Sequence, residues 1–312
     1  RHIKLGIIGY GGRGPHLIRG AGFATKEWTA TVSENARKNK LDKQFDTFMT
    51  QADLNVPLLG VCDLFDVRAE QGINASKNEV RTGGNPKQTA TRYTHYTDLL
   101  NNKDINAVIV ATPDHWHSRI TIDAAKAGKN VYCEKGLTRT FDEAIKVYDE
   151  VKKTGITFQL GHQNRQVEAN EKAKQIIKQG LLGKINLVEL ATNRNSPWGA
   201  WVWGIHPEGN AQTIDWDTFQ EPSPNKIPFG EEALRRFFRW RCWFDYGTGL
   251  SGDLLSHDFD AINQIMDLGI PKYASSSGGI YFYKDGRDVP DVWNATFEYP
   301  DKDLTILYSA TL

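Results

Sequence analysis

The chain is poor in cysteine and carries no excess of either charge. Its three cysteines, Cys62, Cys133 and Cys242, are too few and too scattered for a disulfide framework, and none belongs to a Cys-x-x-Cys pair. A reducing compartment fits that usage. Thirty-eight Lys and Arg residues balance 38 Asp and Glu, so the electrostatic footprint of a nucleic-acid or anionic-membrane binder is missing. No apolar run approaches the ~20 residues needed to span a bilayer, and Arg1 to Tyr10 reads as a strand rather than a leader. The cytoplasm is the expected location; the alternative is the periplasm or export after loss of a leader. Repeats and low-complexity tracts are also missing, and the sequons at Asn74 and Asn294 matter only in a eukaryotic secretory setting. What is present is globular: 312 residues, 39% hydrophobic and 24% charged, with a mean hydropathy of −0.51, enough for about two domains.

The first half alternates two patterns. Short β-branched runs at Ile3 to Gly9, Val56 to Asp63, Ala107 to Thr112, Asn130 to Cys133 and Ile156 to Gly161 predict strands. Helix-like stretches lie near Gly12 to Gly20, Asp66 to Lys77, Ser118 to Lys126 and Phe141 to Lys153, with Gly128 and Gly155 as stops and Thr140 and Glu143 spaced as a capping box. This alternation predicts an α/β fold: a doubly wound parallel sheet covered on both faces over residues 1–162, interrupted by a polar, partly helical insertion at 21–55. The rhythm changes in residues 163–312. A helix near Glu168 to Lys178, a strand near Asn186 to Asn193, a long proline-containing stretch to Arg239 and a helix from Asp253 to Met266 precede strands at Gly279 to Tyr283, Val292 to Tyr299 and Leu304 to Ala310. Short connections make the last pairings antiparallel. The final run, Leu304 to Leu312, ends as an unfinished sheet, so the expectation is a second domain truncated at its C-terminal end.

Gly9-Tyr10-Gly11-Gly12-Arg13-Gly14 follows the first strand and opens a helix. Gly9 permits the tight turn, Gly11 lets a pyrophosphate approach the backbone, and Gly14 allows the helix to pack close to the sheet. The predicted ligand is a dinucleotide, with Gly12 and Arg13 in the same turn. At the end of the second strand, Asp63 is placed to bind the ribose hydroxyls and to repel a 2′-phosphate. NAD is therefore favoured over NADP, with Arg68 the opposing feature and Asp66 the alternative acid.

Ala111-Thr112-Pro113-Asp114-His115-Trp116-His117 and Cys133-Glu134-Lys135 follow two later strands. With these motifs the chain, over nearly all of its 312 residues, resembles the glucose-fructose oxidoreductase/inositol dehydrogenase/rhizopine-catabolism (Gfo/Idh/MocA) family. The resemblance implies a Rossmann domain followed by an α/β domain with an open, mostly antiparallel sheet, which often mediates homo-oligomerisation. It implies hydride transfer at a hydroxyl carbon of a sugar, cyclitol or related carbohydrate. Thr112, Pro113, Trp116, His117, Glu134 and Lys135 then belong to the cofactor side, although Gly136 stands where the family has proline. The family's Asp-x-x-x-His pattern corresponds to Asp253-Leu254-Leu255-Ser256-His257, preceded by the glycine-rich run Gly247 to Gly252.

Chemistry points to the same residues. Positions 253 and 257 share a helix face, where a carboxylate orients an imidazole. His257 suits general acid/base work, Asp253 its orientation or substrate ligation, and Lys135, at a strand's carboxyl end, stabilisation of an alkoxide. The bland counterpart is a solvated Asp–His pair and a surface lysine. Gln163, after another strand, is a candidate cofactor contact. Trp198, Trp201 and Trp243, within a group that also includes Trp203 and Trp240, are candidate platforms for a sugar's C–H face, or else pack the long loop. Arg165 and Arg194 are candidate substrate ligands. His115, His117 and His162 lack a convincingly spaced further ligand, so no metal is expected.

Three activities compete. The leading one is an NAD-dependent dehydrogenase or reductase. The Gly-Gly-Arg-Gly turn and His115-Trp116-His117 are also similar to NAD-retaining glycoside hydrolases, which usually lack the Glu-Lys pair and carry a tyrosine-containing pattern in place of Asp-x-x-x-His; Lys135 and Asp253 favour the dehydrogenase. The third is a non-catalytic NAD or sugar sensor.

Overall fold

A computed structural model describes residues 2–83 and 89–312. The chain forms two compact units, one containing residues up to Leu160 together with Pro207–Pro222, the other Gly161–His206 and Ser223–Leu312.

The first unit is built on strands β1 (Leu5–Ile8), β2 (Leu58–Cys62), β3 (Thr91–Tyr93), β4 (Ala107–Val110), β5 (Asn130–Glu134) and β6 (Phe158–Gly161), in the order β3-β2-β1-β4-β5-β6. The β1–β2, β1–β4, β2–β3 and β4–β5 pairs are parallel. Side chains alternate across β1 and β2, so Leu5, Ile7 and Val61 enter one core with Ile18 and Leu58, while Ile8 and Cys62 enter the other with Leu99, Val110 and Ile120. Two buried faces require helices on both sides. These are α1 (Gly14–Gly20), α2 (Lys26–Lys38), α3 (Gln44–Thr50), α4 (Asp66–Ser76), α5 (Tyr96–Asn101), α6 (Asp114–Lys126) and α7 (Phe141–Thr154). The insertion supplies α2 and α3. Thr140 caps α7 by accepting from the Glu143 N–H at 3.2 Å, and Gly155 ends it in a left-handed conformation. Strand β3 and helix α5 were not expected, and α6 begins four residues before the predicted Ser118.

The second unit contains α8 (Glu168–Lys178) and a sheet of β7 (Leu187–Asn193), β8 (Tyr273–Gly279), β9 (Val292–Tyr299) and β10 (Leu304–Thr311), ordered β7-β10-β9-β8. Two of its three pairings are antiparallel, and β7 runs parallel to β10. The long stretch before Arg239 holds two short helices, α9 (Trp216–Gln220), which belongs to the first unit, and α10 (Glu231–Phe238). Helix α11 (Ser256–Met266) places Phe259, Ile262 and Met266 on Tyr299, Leu304 and Ile306. The strand expected at Gly279 to Tyr283 is displaced to β8. The Asp291 carboxylate accepts from the backbone N–H groups of Tyr281, Phe282 and Tyr283 at 2.8, 2.8 and 2.6 Å, which takes the donors a ladder would need. Among the described residues, no helix is long and apolar enough to cross a membrane, and the three cysteines are buried free thiols.

Candidate active site

The glycine turn leaves β1 with Gly9 at φ +90°, its N–H bonded to Cys62 O at 2.8 Å. A Cβ on Gly9 would lie 2.7 Å from the Ala111 carbonyl, and one on Gly14 2.6 Å from Gly9 O. Neither position tolerates a side chain. Nothing lies within 4 Å of a Cβ built on Gly12, so backbone and open space meet where the fold family lays a pyrophosphate. The hydroxyl of Thr112, beside this turn, is buried with no hydrogen-bond partner among the described residues, an open polar position that suits a polar ligand.

Asp63 follows β2 and accepts from the N–H of Tyr10 at 2.6 Å and of Phe65 at 2.9 Å. Burial pushes its carboxyl up, against the pull of Arg68 and these two N–H groups. Two bonds leave a carboxylate with further lone pairs for ribose hydroxyls. Asp66, the alternative acid, starts α4 and is ion-paired with Arg92. Arg68 lies over the Phe65 ring, 5.7 Å from its centroid, and its Nη1 would sit 3.4 Å from a Cβ on Gly11.

Pro207–Pro222 was assigned by sequence to the second domain, yet it straps this end of the first unit. Asp66 N–H donates to Thr213 O and Asp215 N–H to Leu64 O, each at 2.9 Å, around an antiparallel bridge between Phe65 and Ile214. Phe219 O lies 2.7 Å from His115 Nε2 and accepts from Trp116 Nε1 at 3.0 Å. Trp116, predicted on the cofactor side, is buried in one core cluster with Tyr96 and Val110.

At the end of β5, Glu134 Oε1 accepts from Arg13 Nε at 2.9 Å and from the Tyr132 hydroxyl at 3.0 Å. Burial opposes the charge on Arg13, but Glu134 outweighs it and holds the guanidinium above its ordinary value. Tyr132 is pushed up to about 12 by burial and by Glu134. Arg13 and Glu134 thus join the glycine turn to the strand that delivers Lys135, whose peptide bond to Gly136 is cis. His117 clips the two neighbouring loops, with Nδ1 2.8 Å from Gly136 O and Nε2 2.7 Å from Thr112 O. Pro113 occupies the N-cap of α6. Among the described residues, no three His, Cys, Asp or Glu side chains form a group able to hold a metal.

In the second unit, Asp253 sits in a π-helical turn, Ser251–Leu255, that runs into α11. It is buried, and its Oδ1 accepts from Arg241 Nε at 3.0 Å. His257 meets His162 edge to face, ring centroids 5.9 Å apart. Gln163 opens the single turn Gln163–Gln166. Arg165 in that turn is committed to Asp260 through three contacts of 2.7–2.9 Å. The backbone N–H of Arg194 donates to Thr311 O at 2.8 Å. Trp201, only 1% exposed, and Trp243, whose indole donates to Gly286 O at 3.2 Å, are interior residues of the loop, so burial removes the ring faces that a sugar would need. Trp198 is 74% exposed, 6.0 Å from the Trp203 ring. Sequence reasoning missed Arg241 and the His162–His257 pair. The only available signal was Arg241's place between Trp240 and Cys242, just before the glycine-rich run.

Residues 3–162 match the sequence profile described as the oxidoreductase family, NAD-binding Rossmann fold (GFO_IDH_MocA). The chain belongs to the Gfo/Idh/MocA family. Residues 3–162 are thus the family's NAD-binding Rossmann domain. Levoglucosan dehydrogenase of Pseudarthrobacter phenanthrenivorans is 29% identical over 190 residues, 59% of this chain and 41% of that protein. The 2,7-anhydro-N-acetylneuraminate hydratase of Escherichia coli is 30% identical over 125 residues, 40% of this chain and 30% of that protein. The matched part therefore spans less than half of either relative. A crystal structure of the WlbA dehydrogenase from Bordetella pertussis, in complex with NADH and UDP-GlcNAcA, shares the Gfo/Idh/MocA fold at a TM-score of 0.63 and 17% identity, covering 100% of this chain and 72% of that one.

Proposed function

We propose that the chain is an NAD-dependent oxidoreductase that moves a hydride between nicotinamide and a hydroxyl-bearing carbon of a sugar, cyclitol or related carbohydrate. The observation that carries this reading is the Arg13–Glu134 contact, which brings the glycine turn to the strand end bearing Lys135. Bound NAD supplies the hydride acceptor; the chain supplies proton transfer and charge. In the oxidative direction the His257 imidazole takes the carbinol proton, while the Lys135 ammonium holds the developing alkoxide. Asp253 orients the imidazole or binds a neighbouring hydroxyl. Arg194 and Trp198 are the substrate contacts that exposure and geometry leave in play, and Gln163 is a cofactor contact within the same reading. The dehydrogenase names of the first relative and of the solved structure support it. Assembly of copies through the four-stranded sheet belongs to the same proposal, supported by the exposed residues of its edge strand β8.

A second, redox-neutral reading is favoured by the strap over the turn that follows Asp63, and by the relative named as a hydratase. In it a ring hydroxyl is oxidised, the ketone acidifies the adjacent C–H, a substituent is eliminated, water adds, and the hydride returns. Denaturing the purified protein and identifying the released nucleotide, before and after incubation with free sugars and glycosides, separates the cases. NADH that accumulates with a free sugar, and fails to do so in Lys135→Ala and His257→Ala, is the expected result. Aglycone release without net NADH establishes the redox-neutral route. Bound NAD that no carbohydrate reduces leaves a sensor.

A further inference from the structure

Arg241 in the second unit uses little of its hydrogen-bonding capacity on the protein. Its Nε donates to Asp253, and the face of its guanidinium lies over Trp240, 4.1 Å from the ring centroid, with Trp203 at 5.2 Å. A guanidinium has five N–H donors. The four on Nη1 and Nη2 have no partner among the described residues, and the side chain is 24% exposed. The aromatic faces and the Asp253 bond hold the plane in one orientation, so the Nη edge is a preformed fork whose spacing matches the two oxygens of a carboxylate.

Two further features make this a built site. The indole N–H of Trp203 is buried with no acceptor among the described residues, a second open donor in the same cluster; the Trp203 carbonyl is fixed by Arg239 Nε at 2.6 Å. Trp198, mostly exposed and 6.0 Å from Trp203, extends the aromatic surface towards solvent. A cationic edge with open N–H donors beside an aromatic face favours an anionic ligand with an apolar ring.

We infer that Arg241, Trp203, Trp240 and Trp198 form a subsite for an acidic carbohydrate, a sugar whose carboxylate is held by the Nη edge of Arg241 while its C–H face packs on the exposed indole. The inference deepens the proposed activity by naming its substrate class and rests on that reading for the chemistry that follows binding. Binding itself can be measured without turnover. The probes are D-glucose against D-glucuronate and D-galactose against D-galacturonate, titrated into the NADH-loaded protein with tryptophan fluorescence and calorimetry as readouts. A charge-assisted fork predicts that each acid binds at least about tenfold tighter than its neutral partner, that added salt weakens this preference, and that Arg241→Gln abolishes it while Arg241→Lys keeps part. Equal affinity within both pairs, no binding of either acid, or a preference that survives in Arg241→Gln each overturns the inference. The wild-type comparison decides the matter even where a variant does not fold. An acid that binds NAD-loaded protein with the predicted preference yet never yields NADH upholds the subsite and counts against the oxidoreductase reading.

Discussion

Asp63→Asn tests in one substitution how the end of β2 is held and what it holds. The native carboxylate accepts two backbone N–H groups, one on each oxygen, from Tyr10 and Phe65. A carboxamide of the same shape has one accepting oxygen, so whichever way it turns, its NH2 faces one of those N–H donors. A buried donor left without an acceptor costs about 1–3 kcal/mol. Relief of the burial penalty on the charge, visible in the upward push on the Asp63 carboxyl, returns part of that. A net loss of about 2 kcal/mol lowers the melting temperature of a unit of this size by about 4–8 °C. Scanning calorimetry of the nucleotide-free protein reads this term. Fluorescence titration with NADH reads the other: loss of charge-assisted bonds to the ribose, about 1.5–3 kcal/mol, weakens binding by about 10- to 150-fold. An unchanged melting temperature refutes the hydrogen-bond reasoning. A lowered melting temperature with unchanged NADH affinity makes Asp63 a clasp for the glycine turn and removes it from the cofactor.

In the second unit, burial pushes the Asp291 carboxyl up, but the three N–H groups of Tyr281, Tyr283 and Phe282, with Arg287, outweigh it and hold it below its ordinary value of 3.8. Its contribution is therefore fully present above the unfolded carboxyl's pKa and is lost as pH falls through the lower folded value; Asp291→Asn should cost about 1.5–3 kcal/mol at neutral pH and flatten acid unfolding below about pH 4, and an unchanged acid limb in chemical denaturation contradicts this. The strap offers a second test: Asp215 has φ −78°, compatible with proline, and both caps α9 through Thr218 N–H and donates its own N–H to Leu64 O. Asp215→Pro removes both interactions, about 2 kcal/mol, and should raise limited proteolysis within 207–222 by roughly 30-fold; cleavage at the wild-type rate would mean that the strap is held elsewhere.

What could be read in advance was local. The glycine turn was legible because its chemistry requires bare backbone at fixed spacing, and Gly9 and Gly14 indeed sit where a Cβ would strike main chain. Helix α7 was legible because Thr140 and Gly155 carry its boundaries in their own side chains or lack of one. The misses are non-local. Ser275, Ser276 and Ser277 are poor strand formers, yet they pair with β9, while the better-looking Tyr281 and Phe282 are drawn off by Asp291, ten and nine residues away. The strap's allegiance to the first unit rests on contacts with residues about 100 to 150 positions earlier, which no window of sequence displays. Aromatic composition did not distinguish Trp201, deep in the interior, from Trp198, at the surface.

The Asp253–His257 spacing shows how far local geometry can depart from the regular helix that a sequence suggests. An i, i+4 pair on an α-helix suggests that the carboxylate serves the imidazole, but the chain makes a wider π-helical turn at Ser251–Leu255, a distortion that tends to occur at functional positions. The glycine-rich run permits it: a Cβ on Gly252 would fall 2.1 Å from the Thr248 hydroxyl, so only glycine allows the turn to close over that side chain. There Asp253 bonds Arg241, twelve residues back and on another element. Asp253 thus accepts from a guanidinium that lies over Trp240 and Trp203, a tertiary contact that the i, i+4 spacing alone does not display.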